Sequence, residues 1–290
     1  MTTAQPKKKV RRSLNDPDVR RDILLSLGAL IIVCLFLFPI YWLIQMSFKS
    51  DGEIFGKTIT YFPQKLSLDG YRRNFGDQDY IRSLINSIVI SVETMGLSMI
   101  FGIPAAYGLG RYKSKLLHAI LLVLLVSQML PASVMLTPLY LIFNRAGMLN
   151  NLITPAIAIT ASSIPFTCVT LRPYFKSIPT ALDDAARIDG AGVLKSFFYI
   201  MLPTVKYGAV TCAAISFLNG WNDLLYSMTF NVNALMRPLT ANINKFKDSY
   251  GTKWNAIMAY GTILIIPVLL IFIFLQKQII GGLTAGAVKE

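Results

Sequence analysis

The sequence predicts an all-α membrane protein with six transmembrane helices. Among its 290 residues, 54% are hydrophobic and only 15% are charged, whereas ordinary soluble chains carry about a quarter charged residues. The mean hydropathy is +0.53. Several apolar runs reach the roughly 20 residues that a helix needs to cross a hydrocarbon core.

The predicted spans follow these apolar runs in order: residues 24–48, 84–109, 116–143, 152–171, 205–229 and 255–276. Prolines recur inside them, which membrane bundles tolerate because neighbouring helices satisfy the freed carbonyl groups. The first run is longer than the apolar part of a signal peptide and no small-residue cleavage site follows it, so it is predicted to be retained.

The basic residues predict the orientation and the domain limits. A cluster of Lys and Arg precedes the first span, and the short loop from Arg111 to Lys115 is basic, which is typical of cytoplasmic segments. Six spans then place both termini in the cytoplasm. We predict a basic tail at residues 1–22, a transmembrane domain at 23–281 that includes a large loop at 173–204, and a C-terminal tail at 282–290.

Several function classes find no support in the residues. The formal charge of +13 could suggest nucleic acid, but the N-terminal cluster lacks the interleaved aromatics of a nucleic-acid site, so lipid headgroups are its expected contact. There is no G-x-x-x-x-G-K-[ST] loop to hold a nucleotide. Cys34, Cys168, Cys212 and the single His118 lack metal-ligand or catalytic spacing, so neither an enzyme nor a metal site is expected.

The loop at residues 173–204 is a polar, helix-forming insertion between two spans. Thr180 and Asp183 have the spacing of a capping box, and Gly190 suits the left-handed end of a short helix. A second short helix is predicted at residues 194–201, and Pro203 suits the first turn of the next span. The residues alone leave two interpretations open: a docking element for another protein, or an amphipathic helix at the lipid interface.

The loop resembles the EAA loop of the membrane subunits of binding-protein-dependent ABC importers, with Asp184-Ala185-Ala186, Gly190, and Ile200-x-Leu-Pro at the family's spacing. In that family this loop is a coupling helix that seats in a groove of the ATP-binding subunit. The chain departs from the pattern at Asp184, where Glu is usual, and at Tyr207, where a second proline is frequent. The resemblance implies coupling roles for Asp183, Asp184, Ala185, Ala186, Asp189, Gly190, Ile200, Leu202 and Pro203.

Other segments are similar to the carbohydrate importers of the maltose type. They are residues 138–140, 164–166, 221–223, and the C-terminal tail with its contact candidates Gly282, Leu283, Thr284 and Gly286. The resemblance implies the type I ABC importer permease fold in a bacterial cell membrane. It also implies a second, different permease subunit, two ATP-binding subunits that hold ATP and Mg, and an extracytoplasmic sugar-binding protein.

Five residues are candidates for the substrate pathway. Glu93 lies in the middle of the second span, where an ionisable residue is costly and suggests function; the alternative is a buried carboxyl group that bonds a neighbouring helix. Near the end of the fifth span, an aromatic ring and polar side chains could stack on and bond a sugar, although Trp is also a common interface anchor. These residues are Asn219, Trp221, Asn222 and Asp223.

Two rival functions stay open. An ion-gradient-driven transporter would need Glu93 and Asp223 as its ion site, yet the chain shows no evident inverted repeat. In that case, replacing both acids with their neutral amides should abolish uptake, whereas Asp184→Lys should leave uptake intact. An ABC permease for amino acids or peptides is disfavoured only by the carbohydrate-type tail and the segment at residues 221–223.

Overall fold

The structure is a computed structural model that describes residues 17–243, 247–248 and 251–284, most of them helical. Its helices are α1 (Pro17–Ser47), α2 (Asp51–Ile54), α3 (Asp69–Phe75), α4 (Gln78–Arg111), α5 (Lys115–Ser127), α6 (Ala132–Arg145), α7 (Ile153–Ser177), α8 (Thr180–Ile188), α9 (Val193–Ser196), α10 (Leu202–Thr204), α11 (Lys206–Trp221), α12 (Leu225–Phe230), α13 (Leu239–Asn242) and α14 (Trp254–Thr284). A π-helical segment, Phe197–Met201, joins α9 to α10, and a 3-10 turn, Ala234–Met236, precedes α13. Strands β1 (Lys247–Asp248) and β2 (Gly251–Thr252) form an antiparallel hairpin.

Among the residues that the structure describes, four helices are long and apolar enough to cross a membrane by themselves: α1, α4, α7 and α14. Two bent pairs pass the same test of length and composition. These are α5 with α6, which meet at 104°, and the segment Val193–Thr204 with α11, which meet at 82°. Counting each pair as one span gives six. The predicted all-α fold is therefore confirmed, with two of its six spans bent.

The third predicted span, residues 116–143, is wrong as a continuous helix. α5 ends at Ser127, and α6 begins after Pro131, whose backbone is extended (φ −62°, ψ 137°). Proline has no N–H to continue the helix, and it disfavours helical geometry in the residue before it. The chain therefore turns at residues 128–131.

The fifth predicted span, residues 205–229, is also interrupted. α11 ends at Trp221, and α12 is a separate helix. Between them, the Asp223 carboxylate accepts hydrogen bonds from the backbone N–H groups of Tyr226 (3.3 Å) and Ser227 (2.8 Å). These are N–H groups at a helix start, which have no partner within the helix. The predicted helix up to residue 229 is thus replaced by two helices, and Asp223 caps the second.

The centre of the protein is formed by α4, α7 and α11, which pack against one another. Small and hydroxyl side chains line their contacts, and such residues let helix backbones approach closely in membranes. Between α7 and α11, Asn219 Nδ2 donates a hydrogen bond to Ser163 Oγ at 3.2 Å. On α4 the fully or nearly fully buried hydroxyl residues recur at helical spacing: Ser87, Ser91, Thr94 and Ser98.

Gly220 marks a close approach of α11 to α4. A Cβ atom at residue 220 would lie 2.7 Å from the Cα of Ser91 and 3.2 Å from the carbonyl oxygen of Ile90, so the helices would have to separate. We expect Gly220→Ala to destabilise the protein by about 1–3 kcal/mol and to lower its melting temperature in detergent. Gly108→Ala is the control, because nothing lies within 4 Å of its Cβ position. Equal melting temperatures for the two variants would contradict the tight packing at Gly220.

The two terminal spans, α1 and α14, pack on each other, and α1 leaves most of its apolar surface exposed. Such a surface suits lipid or another membrane helix. α1 begins at Pro17, ahead of the predicted domain limit at residue 23, and α14 continues to Thr284, beyond the predicted limit at residue 281. Residues 1–16 and 285–290, which include most of the predicted tails, lie outside the described residues.

Candidate functional site

The loop at residues 173–204, called the coupling loop from here on, is organised around α8. This helix ends in a Schellman motif, in which the N–H of Gly190 donates to the carbonyl of Arg187 (3.0 Å) and the N–H of Ala191 donates to the carbonyl of Ala186 (2.8 Å). Gly190 has φ 74°, a left-handed backbone that favours glycine. The predicted helix end at Gly190 is therefore found in the structure.

Gly190 is the position in this loop where a side chain should strain the backbone. We expect Gly190→Ala to cost about 1–2 kcal/mol and to loosen the last turn of α8. Hydrogen exchange of the Ala191 amide in the detergent-solubilised protein should then become about tenfold faster. Gly192→Ala is the control, since Gly192 has φ −67° and open space around its Cβ position. If both variants exchange alike, the Schellman motif does not depend on glycine.

The predicted capping box at the start of α8 is wrong. The residue before the helix is Pro179, and no side chain caps the first N–H groups. Thr180 therefore lies inside the first turn. Asp183 instead forms an ion pair with Arg111 at the end of α4, because a carboxylate bonds more strongly to a guanidinium than to a neutral N–H group.

Arg111 holds the coupling loop against the membrane bundle. Its side chain is 7% exposed, and its Nη1 donates to the carbonyl oxygens of Ile178 (2.6 Å) and Phe175 (3.3 Å). Through its other nitrogen it binds Asp183 of α8. One guanidinium thus joins α4, the end of α7 and the start of α8. The sequence marked Arg111 only as a basic orientation signal, so its structural role was missed.

Apolar packing reinforces this connection on the inner side of the loop. Tyr107 of α4 packs edge-on against Phe175 and Phe197, with ring centroids 5.5 Å and 5.2 Å apart. Around them lies a buried cluster drawn from α4, α7, α11 and the loop: Ile103, Ala106, Leu171, Ile178, Met201, Val205 and Cys212. The loop is therefore built onto three of the helices instead of extending freely from them.

The exposed apolar residues of the coupling loop form a second set, which we call its outer face. It consists of Leu182, Ile188, Val193, Leu194, Phe198 and Tyr199. Among the predicted coupling residues, Asp184, Ala185, Asp189, Gly190 and Pro203 are exposed, Ile200 and Leu202 are partly buried, and Ala186 is buried. Grouped exposed apolar residues of this kind mark an interaction site.

The pathway candidates do not form one cluster. Asn219 and Asn222 are exposed, and Asp223 caps α12. Trp221 is only 1% exposed, donates its indole N–H to the Leu264 carbonyl at 3.0 Å and stacks on Phe217, so in this conformation it packs α11 against α14. Glu93 is half-buried, and its Oε2 has no hydrogen-bond partner in the described part of the chain.

The C-terminal contact candidates lie at the end of the chain. Gly282, Leu283 and Thr284 belong to the last turn of α14. Gly286 lies outside the described residues. Their contact role stays a prediction.

The fold and the coupling loop together define a class: in its described residues, a helical protein of up to six candidate spans, with a polar loop that Arg111 holds against the bundle. Residues 98–283 of the chain match the family described as the binding-protein-dependent transport system inner membrane component. The chain belongs to this family. The resemblance inferred from the EAA-like loop is thereby confirmed.

Curated relatives match over most of their length. A melibiose, raffinose and stachyose import permease protein of Bacillus subtilis is 34% identical, over 92% of this chain and 96% of its own. A diacetylchitobiose uptake system permease protein of Streptomyces coelicolor is 28% identical, over 87% of this chain and 91% of its own. A trehalose and maltose transport system permease protein of Thermococcus litoralis is 28% identical, over 94% of this chain and 98% of its own.

Solved structures share the fold. A chain of a bacterial ABC transporter involved in the import of the acidic polysaccharide alginate matches with a TM-score of 0.79 at 22% identity, covering 92% of this chain and 99% of that one. A chain of a methionine ABC transporter in inward-facing conformations matches with a TM-score of 0.56 at 18% identity, over 70% of this chain and 95% of that one. The predicted type I importer permease fold is therefore confirmed.

Proposed function

We propose that this chain is a permease subunit of a bacterial ABC importer that translocates a sugar or oligosaccharide. Its family is a membrane component of transport systems, and the relatives described above are named for oligosaccharide uptake. An alginate transporter of similar fold, with a TM-score of 0.62, forms a complex with an oligosaccharide-bound periplasmic protein. This supports an extracytoplasmic sugar-binding protein as one partner of the present chain.

The coupling loop is the observation that carries the proposal. Two ATP-binding subunits would bind ATP and Mg and perform the hydrolysis, while this chain binds neither and performs no catalysis. One of them would dock on the outer face of the coupling loop. Because Arg111 connects the loop to both α4 and α7, a displacement of the loop would be transmitted to these two helices.

In this proposal the pathway candidates lie on α4 and on or next to its neighbour α11. α4 carries Glu93, and α11, which packs on α4 and α7, carries Asn219. The exposed amides of Asn219 and Asn222 would bond sugar hydroxyls, and Trp221 would position α11. A second, different permease subunit would complete the cavity. The coupling loop and both termini would lie in the cytoplasm, in agreement with the basic segments of the chain.

Affinity purification of the chain from native membranes in mild detergent tests the proposal. We expect an ATP-binding subunit, a second permease and a sugar-binding protein to be recovered and identified by mass spectrometry. The ligand of the binding protein would then name the substrate. If cross-linking also recovers no ATP-binding subunit, the importer assignment fails.

Glu93 Oε2 has no hydrogen-bond partner among the described residues. This observation favours the ion-driven rival and leads to a discriminating prediction. We expect the double variant Glu93→Gln with Asp223→Asn to keep ATP-dependent uptake in reconstituted vesicles, because Asn can still accept hydrogen bonds as a helix cap. Asp184→Lys on the coupling loop should instead weaken uptake. Uptake that is driven by an ion gradient, lost in the double variant and kept in Asp184→Lys would establish the rival.

A further inference from the structure

A cavity of about 450 Å³ lies between the coupling loop and the end of α4, and Val193 of the outer face forms part of its lining. It is enclosed by the end of α4, by α8 and by α9, and its polar lining includes Arg111, Asp183, Arg187 and Ser196. We propose that this cavity binds a phosphate group, carried either by a lipid headgroup or by a soluble anion. The inference concerns regulation or stabilisation of the loop and does not depend on the transported substrate.

Ser196 is the first observation that points to a ligand. Its residue is 7% exposed, and its Oγ has no hydrogen-bond partner within the described ranges. A buried hydroxyl group without a partner is costly, so an occupant that bonds it is favoured. Ser196 lines the cavity, so a change of its side-chain rotamer would direct the hydroxyl group to a phosphate oxygen placed there, which would accept its hydrogen bond.

Arg187 is the second observation. It lines the same cavity from the last turn of α8. The acidic lining group is Asp183, and its charge is compensated by Arg111. Arg187 therefore provides the excess positive charge of the cavity. A guanidinium beside a hydroxyl donor matches the geometry of a phosphate, which Arg binds through paired hydrogen bonds.

The position of the cavity agrees with a phosphate at headgroup level. Arg111 is the last residue of the α4 span, and Tyr112 follows it, with its ring edge-on to Tyr107 at 6.3 Å. Tyr and basic residues concentrate where a membrane meets water. A lipid phosphate could reach the cavity from the bilayer, and a soluble phosphate could reach it from the aqueous side.

Two measurements on the full chain, purified with the partners that it retains, distinguish the sources. In detergent, isothermal titration with inorganic phosphate measures soluble binding. In nanodiscs with and without phosphatidylglycerol, native mass spectrometry measures retained lipid. The test variants are Arg187→Gln and Ser196→Ala. The control is Lys195→Gln, which removes a charge from an exposed neighbour of Ser196 that does not line the cavity.

We expect Arg187→Gln to weaken binding about tenfold, since a hydrogen bond to a charged group is lost, and Lys195→Gln to leave it unchanged. If phosphate binding is weakened by Arg187→Gln but not by Lys195→Gln, the ligand is a soluble anion. If lipid retention changes in this way, the ligand is a lipid headgroup. No binding in either measurement, or equal binding in all variants, overturns the proposal. It is also overturned if Arg187→Gln releases the ATP-binding subunit in phosphate-free detergent, because the cavity then accepts an acidic side chain of that subunit.

Discussion

We expect Arg111→Met to remove most of the transport activity while the ATP-binding subunits remain bound. The substitution leaves the Asp183 carboxylate and the carbonyl groups of Ile178 and Phe175 without their guanidinium partner. Hydrogen bonds to charged groups contribute about 1.5–3 kcal/mol each. Loss of the link between α8 and α4 should therefore lower sugar uptake at least about tenfold, whereas the outer face of the coupling loop stays exposed for docking.

Two further variants separate coupling from folding. Arg111→Lys keeps the charge but lacks the fork that bonds several oxygens at once, so an intermediate uptake rate is expected. Arg111→Met combined with Asp183→Leu removes the unpaired carboxylate and should restore part of the melting temperature without restoring uptake. If the double variant recovers both its melting temperature and its uptake, Arg111 only balances the charge of Asp183. Normal uptake by Arg111→Met alone would refute the coupling role.

The features that the sequence predicted well depend on local patterns. Apolar length is sufficient to identify the spans, and Gly190 could be recognised because a left-handed helix end favours glycine irrespective of distant contacts. The spacing from Asp184 to Pro203 was sufficient to identify the family, which the match over residues 98–283 confirms.

The features that could not be predicted from the sequence depend on contacts between residues that are distant along the chain. Asp183 had two possible partners, a nearby N–H group or a guanidinium, and only the folded chain brings Arg111 to it from 72 positions away. The break at Pro131 was hidden because the whole of residues 116–143 is apolar enough for one span. Trp221 was considered for sugar stacking, yet its indole N–H bonds Leu264 of α14, a contact that no local pattern reveals.

We expect Ile188→Asp to release the ATP-binding subunits from the purified chain without unfolding it. Ile188 is 86% exposed at the end of α8, so its replacement removes no internal packing. In a docked complex the apolar side chain would be buried and the new carboxylate would lack a partner. Central interface residues contribute about 2 kcal/mol or more, which corresponds to about thirtyfold weaker binding. Quantitative co-purification measures this change, and the melting temperature of the isolated chain should stay constant.

Leu66→Asp is the matched control, because Leu66 is an exposed apolar residue in the segment before α3. That segment lies near the start of α4, and α8 lies at its other end, about 50 Å away for a helix of this length. The control should retain the ATP-binding subunits. If Ile188→Asp also retains them and supports normal uptake, the outer face does not hold the ATP-binding subunit, and we would assign its apolar side chains to the boundary between headgroups and acyl chains. The coupling loop would then be the interfacial amphipathic helix that its residues alone also allow, and Arg111 would anchor it without transmitting motion.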